Sequence, residues 1–451
     1  MSTVFWFRRD LRLGDNPALL AACAHGPVLP LFVLDPALWG PAGPSRRAYL
    51  AASLGALDAS LRADGGRLSV VRGDPVRQVV RAARAVGASE VHVAADHGPY
   101  GARRDREVEA ALAEEGVALV RTGSPYAVSP GRVRKADGSA YQVFTPFSRA
   151  WAEHGWRGPV AAPTGVKWQH LTEDTTEVPR PPLPAGLTLP EAGEEAAHRR
   201  WAEFLDDGVA DYDERRDRPD LPGTSRMSHH LKWGEIHPRT LLADLAPRRG
   251  AGAGIYRTEL AWREFYADVL DARPDTARDY LRAEYARMPY DEPDERFEAW
   301  CAGRTGFPVV DAAMRQLRAV GWMHNRMRMV SASFLVKDLH VEWQHGARHF
   351  LHWLVDGDLA SNNHGWQWTA GSGTDAAPFF RVFNPTSQGR RFDPDGAYVR
   401  RWVQELADPE RVPDPHDPSP EVRHSVGYPL AILDHGAERR EALQRWETIR
   451  R

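Results

Sequence analysis

Strand-forming runs concentrate near the N-terminus of this chain, and there they alternate with helical ones. Apolar, β-rich stretches at 4–8, 28–35, 68–73, 91–96 and 118–122 read as buried strands. Between them, 16–24, 46–63, 75–86 and 103–115 carry helical periodicity. This alternation predicts an α/β domain with a doubly wound, Rossmann-like parallel sheet. Such sheets bind ligands beyond the carboxyl ends of their strands, which is where Asp35 and Asp96 fall. The domain has no G-x-G-x-x-G fingerprint, so a dinucleotide is not expected in it.

A chain of 451 residues is too long for one hydrophobic core. The pattern predicts an α/β domain over 1–128, a proline-broken connector over 129–195 and an all-helical domain over 196–451, with a last helix near 437–449. No apolar run is long enough for a membrane span, and the N-terminus lacks the layout of a signal peptide. Cys23 and Cys301, the only two cysteines, suit a reducing cytoplasm without disulfides, and no metal-ligand spacing is present. A net charge of −3 gives no global attraction for nucleic acid. Arginine pairs such as Arg215-Arg216 and Arg390-Arg391 leave room for a local basic face.

Four polar-aromatic tracts in the helical part carry chemistry. Gly223-Thr224-Ser225-Arg226-Met227-Ser228 sets hydroxyls and a guanidinium before a helical run, a set suited to phosphate or to an ordinary N-cap. On a helix Glu259, Trp262, Arg263 and Tyr266 share one face, as do Asn325, Arg328 and Met329. Arg328 needs an anion, and Asp356 is available. The tract 356–368 brings Asp356, Asp358, Asn362, Asn363, Trp366, Gln367 and Trp368 together. Carboxylates and amides can bond a planar heterocycle, and indoles can stack on one or pass it electrons. A large aromatic cofactor is indicated. The fourth tract continues through 375–385.

In order and type, these tracts, with Phe5-Trp6-Phe7-Arg8-Arg9-Asp10 at the start, resemble the photolyase/cryptochrome family of light-driven flavoproteins over nearly the whole chain. The resemblance is to class I enzymes that repair cyclobutane pyrimidine dimers in UV-damaged DNA. It implies an N-terminal antenna domain and a helical domain holding FAD, active as FADH⁻. Tyr212, Thr224, Ser225, Arg226, Met227 and Ser228 would hold the FAD phosphates and ribose. Arg263, Asn325, Arg328, Asp356 and Asp358 would line the rest of the cofactor, with Asn362 near flavin N5. Trp262 and Trp368 would sandwich the extruded dimer. Glu259, also beside the cofactor, would hydrogen-bond a dimer carbonyl, at least partly protonated. Arg216, Asn325, Arg326 and Met329 would line the lesion pocket or meet its phosphates. Enzymes for (6-4) lesions resemble this chain less, because they place histidines where Asn325 and Met329 stand.

Two features implied by the resemblance are distinctive. The antenna loop reads Asp96-His97-Gly98-Pro99-Tyr100-Gly101, which lacks the Asn-Glu pair of folate sites. It is more similar to the 8-hydroxy-5-deazaflavin type than to the methenyltetrahydrofolate type, with Asp35, Asp96 and Lys232 as contacts. In the electron relay, Trp366 and Trp343 match the proximal and middle members, but Tyr290 stands at the distal one. A monomer is expected. The rivals are a cryptochrome-like blue-light receptor and an FAD enzyme that uses a nicotinamide.

Overall fold

The computed structural model describes residues 2–173, 175–375 and 380–450. Within the fourth tract, residues 376–379 lie outside the described residues. The chain forms two compact units. One gathers Met1–Pro184, Pro190–Ala210 and Ser225–Pro274; the other gathers Ala185–Leu189, Asp211–Thr224 and Asp275–Arg451.

The first unit is built on five parallel strands: β1 (Ser2–Phe7), β2 (Val28–Leu34), β3 (Ser69–Arg72), β4 (Ala88–Val93) and β5 (Ala118–Arg121), in spatial order β3-β2-β1-β4-β5. Alternation along the strands feeds two cores. Val4, Trp6, Leu29, Leu31 and Val33 enter one, and Phe5, Phe7, Val28, Phe32 and Leu34 enter the other. β1 and β2 are buried on both faces, which is why they read as continuous apolar runs. β4 starts three residues earlier than its hydrophobic run suggests. Polar Glu90 and His92 belong to the ladder, and Ala94 to Asp96 lie beyond its last pair. The helix expected at 103–115 begins at Pro99, whose fixed φ suits a first helical position.

The connector is not wholly irregular, since it contains helix Phe144–His154. Four further helices, Glu194–Asp207, Ser228–Trp233, Pro238–Leu245 and Ala251–Ala272, complete this unit. The second unit is helical around one aromatic-rich core that includes Trp300, Phe334, Trp343, Phe350, Trp366 and Tyr398. Among the described residues, no helix is long and apolar enough to cross a membrane.

Candidate functional site

In the first unit the strand order reverses between β1 and β4, and charge collects beyond their carboxyl ends. Arg8 pairs with Asp105 at 2.5 Å, and Arg104 with Asp105 at 2.8 Å and Asp96 at 3.3 Å. Burial alone would raise the Asp96 carboxyl, but Arg104, Arg9 and Arg8 outweigh it and hold the group below its ordinary range. The Gly98 N–H donates to Asp96 at 3.1 Å, and a Cβ at Gly101 would lie 2.1 Å from the same carboxylate, so glycine is needed there. Asp35 caps the turn after β2 through the Ala37 N–H at 2.9 Å and accepts the Tyr100 hydroxyl. Lys232 lies 5.1 Å from the Trp233 ring centroid.

Helix Ala251–Ala272 supplies the polar-aromatic face. Trp262 stacks flat on Phe144, with centroids 3.7 Å apart and planes 6° apart, and leans on Tyr266 at 5.5 Å. Nothing in the sequence marks Phe144, because its partner Trp262 is far away along the chain. Arg263 donates to the carbonyls of Pro125 (3.1 Å) and Leu231 (3.2 Å) and covers Tyr126 at 4.6 Å, so it braces this unit. Glu259 is half-buried on the same helix. Buried Glu264 does a different job: it accepts from the Val128 N–H at 3.0 Å, the Ala127 N–H and the Trp151 indole. Burial raises its carboxyl despite these donors. One turn on, Asp268 takes the Gly131 N–H at 2.7 Å and Arg134 at 2.8 Å.

The hydroxyl tract is no ordinary N-cap. Helix Ser228–Trp233 has no side-chain cap bond, and Arg226 has a left-handed φ of 55°. Ser225 is buried, bonds the Tyr256 hydroxyl at 2.8 Å and accepts the Met227 N–H at 3.3 Å, while its carbonyl takes Arg200 at 2.9 Å.

In the second unit, Arg216 covers the Tyr212 ring at 5.8 Å. A Cβ at Gly223 would come within 2.6 Å of Arg215, so this strand of loop hugs that turn. Asn325 is exposed at the start of helix Asn325–Lys337. Arg326 pairs with Asp217 at 2.8 Å, contacts Met329 Sδ at 3.7 Å and covers Phe392 at 4.5 Å. Arg328 and Asp356 meet at 2.7 Å, and Arg328 also donates to the Met323 carbonyl at 2.8 Å. The other Asp356 oxygen, Oδ1, is buried with no donor among the described residues. Buried acceptors are ordinarily satisfied, so that atom suits a ligand hydroxyl or ring N–H.

Asp358 caps helix Leu359–Ala370 through the Ser361 N–H at 3.0 Å. The amides of this helix divide. Gln367 takes the Leu281 N–H and donates to the carbonyls of Thr276 and Asp279, and Asn363 donates to Ala277. Both therefore hold segment 276–281. Asn362 donates to Ala347 O at 3.2 Å and Asn363 Oδ1 at 2.9 Å, which turns its own oxygen outward as an acceptor. The sequence pattern made these amides one cluster; of the three, only Asn362 keeps an oxygen for a ligand. Trp368 is half-buried on the same helix.

Trp366 is buried against Phe350 (4.9 Å), Trp300 (6.1 Å) and Gly346, where a Cβ would sit 2.1 Å from its ring. Trp343 lies one turn before Gly346 on helix Trp343–Trp353. The N–H groups of both indoles are buried without an acceptor among the described residues. Tyr290 is no simple surface residue: its hydroxyl is buried, and its ring stacks on Tyr280 at 6.2 Å. Tyr280 in turn meets Trp343 edge-on at 6.1 Å. Sequence spacing could not show Tyr280, since ring contact is made only in the fold.

Comparison with known proteins finds relatives over nearly the whole chain. A DNA photolyase family model matches residues 3–166, and a model of the FAD binding domain of DNA photolyase matches 256–448. The chain is 43% identical to a deoxyribodipyrimidine photo-lyase of Streptomyces griseus, over 99% of this chain and 98% of that one. A bacterial class III photolyase from Agrobacterium tumefaciens superposes with a TM-score of 0.91 at 36% identity, covering 100% of this chain and 98% of its own. An archaeal photolyase from Sulfolobus tokodaii, solved with two FAD molecules, superposes at 0.85 with 30% identity, over 99% of this chain and 100% of that one.

Proposed function

The chain belongs to the DNA photolyase family, and from that premise we propose how its residues carry out light-driven repair of cyclobutane pyrimidine dimers in DNA. It is a deoxyribodipyrimidine photo-lyase, a carbon–carbon lyase and FAD-binding enzyme. FAD, when bound in its reduced anionic form, supplies one electron to the dimer under light and recovers it after the ring opens.

The observation that carries the assignment of the site is Asp356: one oxygen fixed by Arg328, the other buried and waiting for a donor. Arg328, Asp356, Asp358 and Asn325 would line the cofactor, and Asn362 Oδ1 would offer it an acceptor near N5. Tyr212, Thr224, Ser225, Arg226, Met227 and Ser228 hold the phosphates and ribose. The left-handed Arg226 supports this, because backbone strain away from glycine collects at functional loops. Arg263 acts on the cofactor only through the segments it braces.

Trp262 and Trp368 would each offer an indole face to the extruded dimer, and flipping it out of the stack is the step that admits it. Glu259 donates a hydrogen bond to a dimer carbonyl oxygen and so stabilises the added negative charge. Arg216, Arg326 and Met329 line the pocket mouth. Arg326 can hold a DNA phosphate only by exchanging its partner Asp217. The antenna would be 8-hydroxy-5-deazaflavin, held by Asp35, Asp96 and Lys232. The protein works as a cytoplasmic monomer, with domains at 1–128 and 196–451 joined by a connector.

Illumination of the reduced holoprotein with a dimer-containing oligonucleotide tests the activity. Dimers should disappear only in the light. Intact dimers after illumination would favour a receptor on the same fold, and dark oxidation of NADPH with turnover would favour a nicotinamide-dependent enzyme.

A further inference from the structure

Light-driven reduction of an oxidised flavin leaves an electron hole in the protein, and its fate decides whether the reduction lasts. This inference rests on the assignment of Trp366 and Trp343 to the relay. Their indole N–H groups are buried and meet no acceptor among the described residues. An oxidised indole here has nowhere to place its proton, so the hole stays a mobile cation.

The phenol in ring contact with Trp343 is Tyr280, edge-on at 6.1 Å. Tyr290 lies one ring further out, stacked on Tyr280 with planes 16° apart. A phenol gives up an electron readily only if its proton leaves at the same time. Burial pushes both phenols above their ordinary pKa, so neither offers a phenolate. They differ in where a proton could go. The Tyr280 hydroxyl donates to Glu342 Oε1 at 3.0 Å, whereas the buried Tyr290 hydroxyl faces the Tyr280 phenol and, among the described residues, bonds no carboxylate. Glu342 directly precedes Trp343 and is half-buried, so a proton placed on it can pass on to solvent.

We propose that the hole leaves Trp343 through Tyr280 and that Glu342 takes the phenolic proton. One electron moves from the Tyr280 ring to the oxidised Trp343 and restores the neutral indole. The Tyr280 O–H bond breaks, and a new O–H bond forms on Glu342 Oε1. Tyr280 is left a neutral radical and Glu342 a neutral acid. The oxidant that starts the sequence is the light-excited oxidised flavin. Tyr290 is a second ring behind the trap, not its first member.

The test is flash photolysis with time-resolved electron paramagnetic resonance on the oxidised, flavin-loaded full chain. In the parent, an indole radical should give way to a tyrosyl radical. Tyr290→Phe should keep that radical. Tyr280→Phe should abolish it and leave the indole cation to recombine. Glu342→Gln should slow its formation by roughly a hundredfold, the size of effect a positioned base confers, and change its solvent deuterium isotope effect. A tyrosyl radical lost in Tyr290→Phe but kept in Tyr280→Phe would overturn the proposal and leave the tryptophan relay standing. Absence of any indole radical in the parent would remove the relay itself. If Tyr280→Phe fails to hold flavin, Glu342→Gln decides alone, and unaltered tyrosyl kinetics there would refute the proton acceptor.

Discussion

Single side chains here differ in role from neighbours of the same type. Glu259 and Glu264 share a helix, yet buried Glu264 accepts two backbone N–H groups and an indole, and belongs to the scaffold. Trp262→Ala should therefore weaken binding to dimer-containing DNA by roughly tenfold to a hundredfold, as loss of an aromatic anchor does, with flavin retained. Titration of labelled oligonucleotide measures this, and unchanged affinity would remove Trp262 from the lesion contact. Asn363 makes a different kind of contribution, because it sets the direction of the Asn362 amide. Asn363→Ala should leave flavin content unchanged but speed reoxidation of the reduced flavin in air, read from the absorption spectrum. If reoxidation keeps the parental rate, the Asn362 orientation is set otherwise.

Helices Trp343–Trp353 and Leu359–Ala370 meet where Gly346 admits the edge of Trp366. Gly346→Ala forces a backbone or ring shift and should cost about 1–3 kcal/mol, the usual penalty for overpacking; urea unfolding reads it. A loss below a few tenths would mean the contact yields freely. The same region carries His364, whose imidazole burial lowers to about 4. Below pH 6.5 the unfolded chain binds this proton and the folded one does not, so stability falls as pH drops from about 6.5 to 4. His364→Gln should flatten that part of the stability–pH curve, and an unaltered slope would show that other groups set it. Much of these elements was legible in advance. Periodicity located the strands and the long helices, because it reflects burial directly. It could not divide Asn362 from Asn363 and Gln367, since adjacent amides differ only in which way the finished helix aims them. Nor could it find Phe144, Tyr280 or Glu342, whose significance lies in contacts made only in the fold.

At the scale of the molecule, a net charge of −3 coexists with binding to a polyanion. Affinity for damaged DNA should fall steeply with rising salt, with a log–log slope set by the phosphates contacted, and a flat dependence would mean that arginines do not grip the backbone. Arg390 is a poor candidate for that grip, being 2.8 Å from Asp414 and 3.6 Å from Asp417. Residue patterning made the α/β-then-helical order legible over the whole length, yet the grouping of the chain into units was not, because contacts and not sequence order define it. The first unit takes back residues Ser225–Pro274 after the chain has already left it, and their buried carboxylates hold backbone near Ala127 and Gly131. On the ribosome, then, the half that emerges first cannot finish first. Its early segments must wait, partly assembled, until more than half of the polypeptide has been made, and pauses in translation before that point expose an incomplete body to chaperones and proteases.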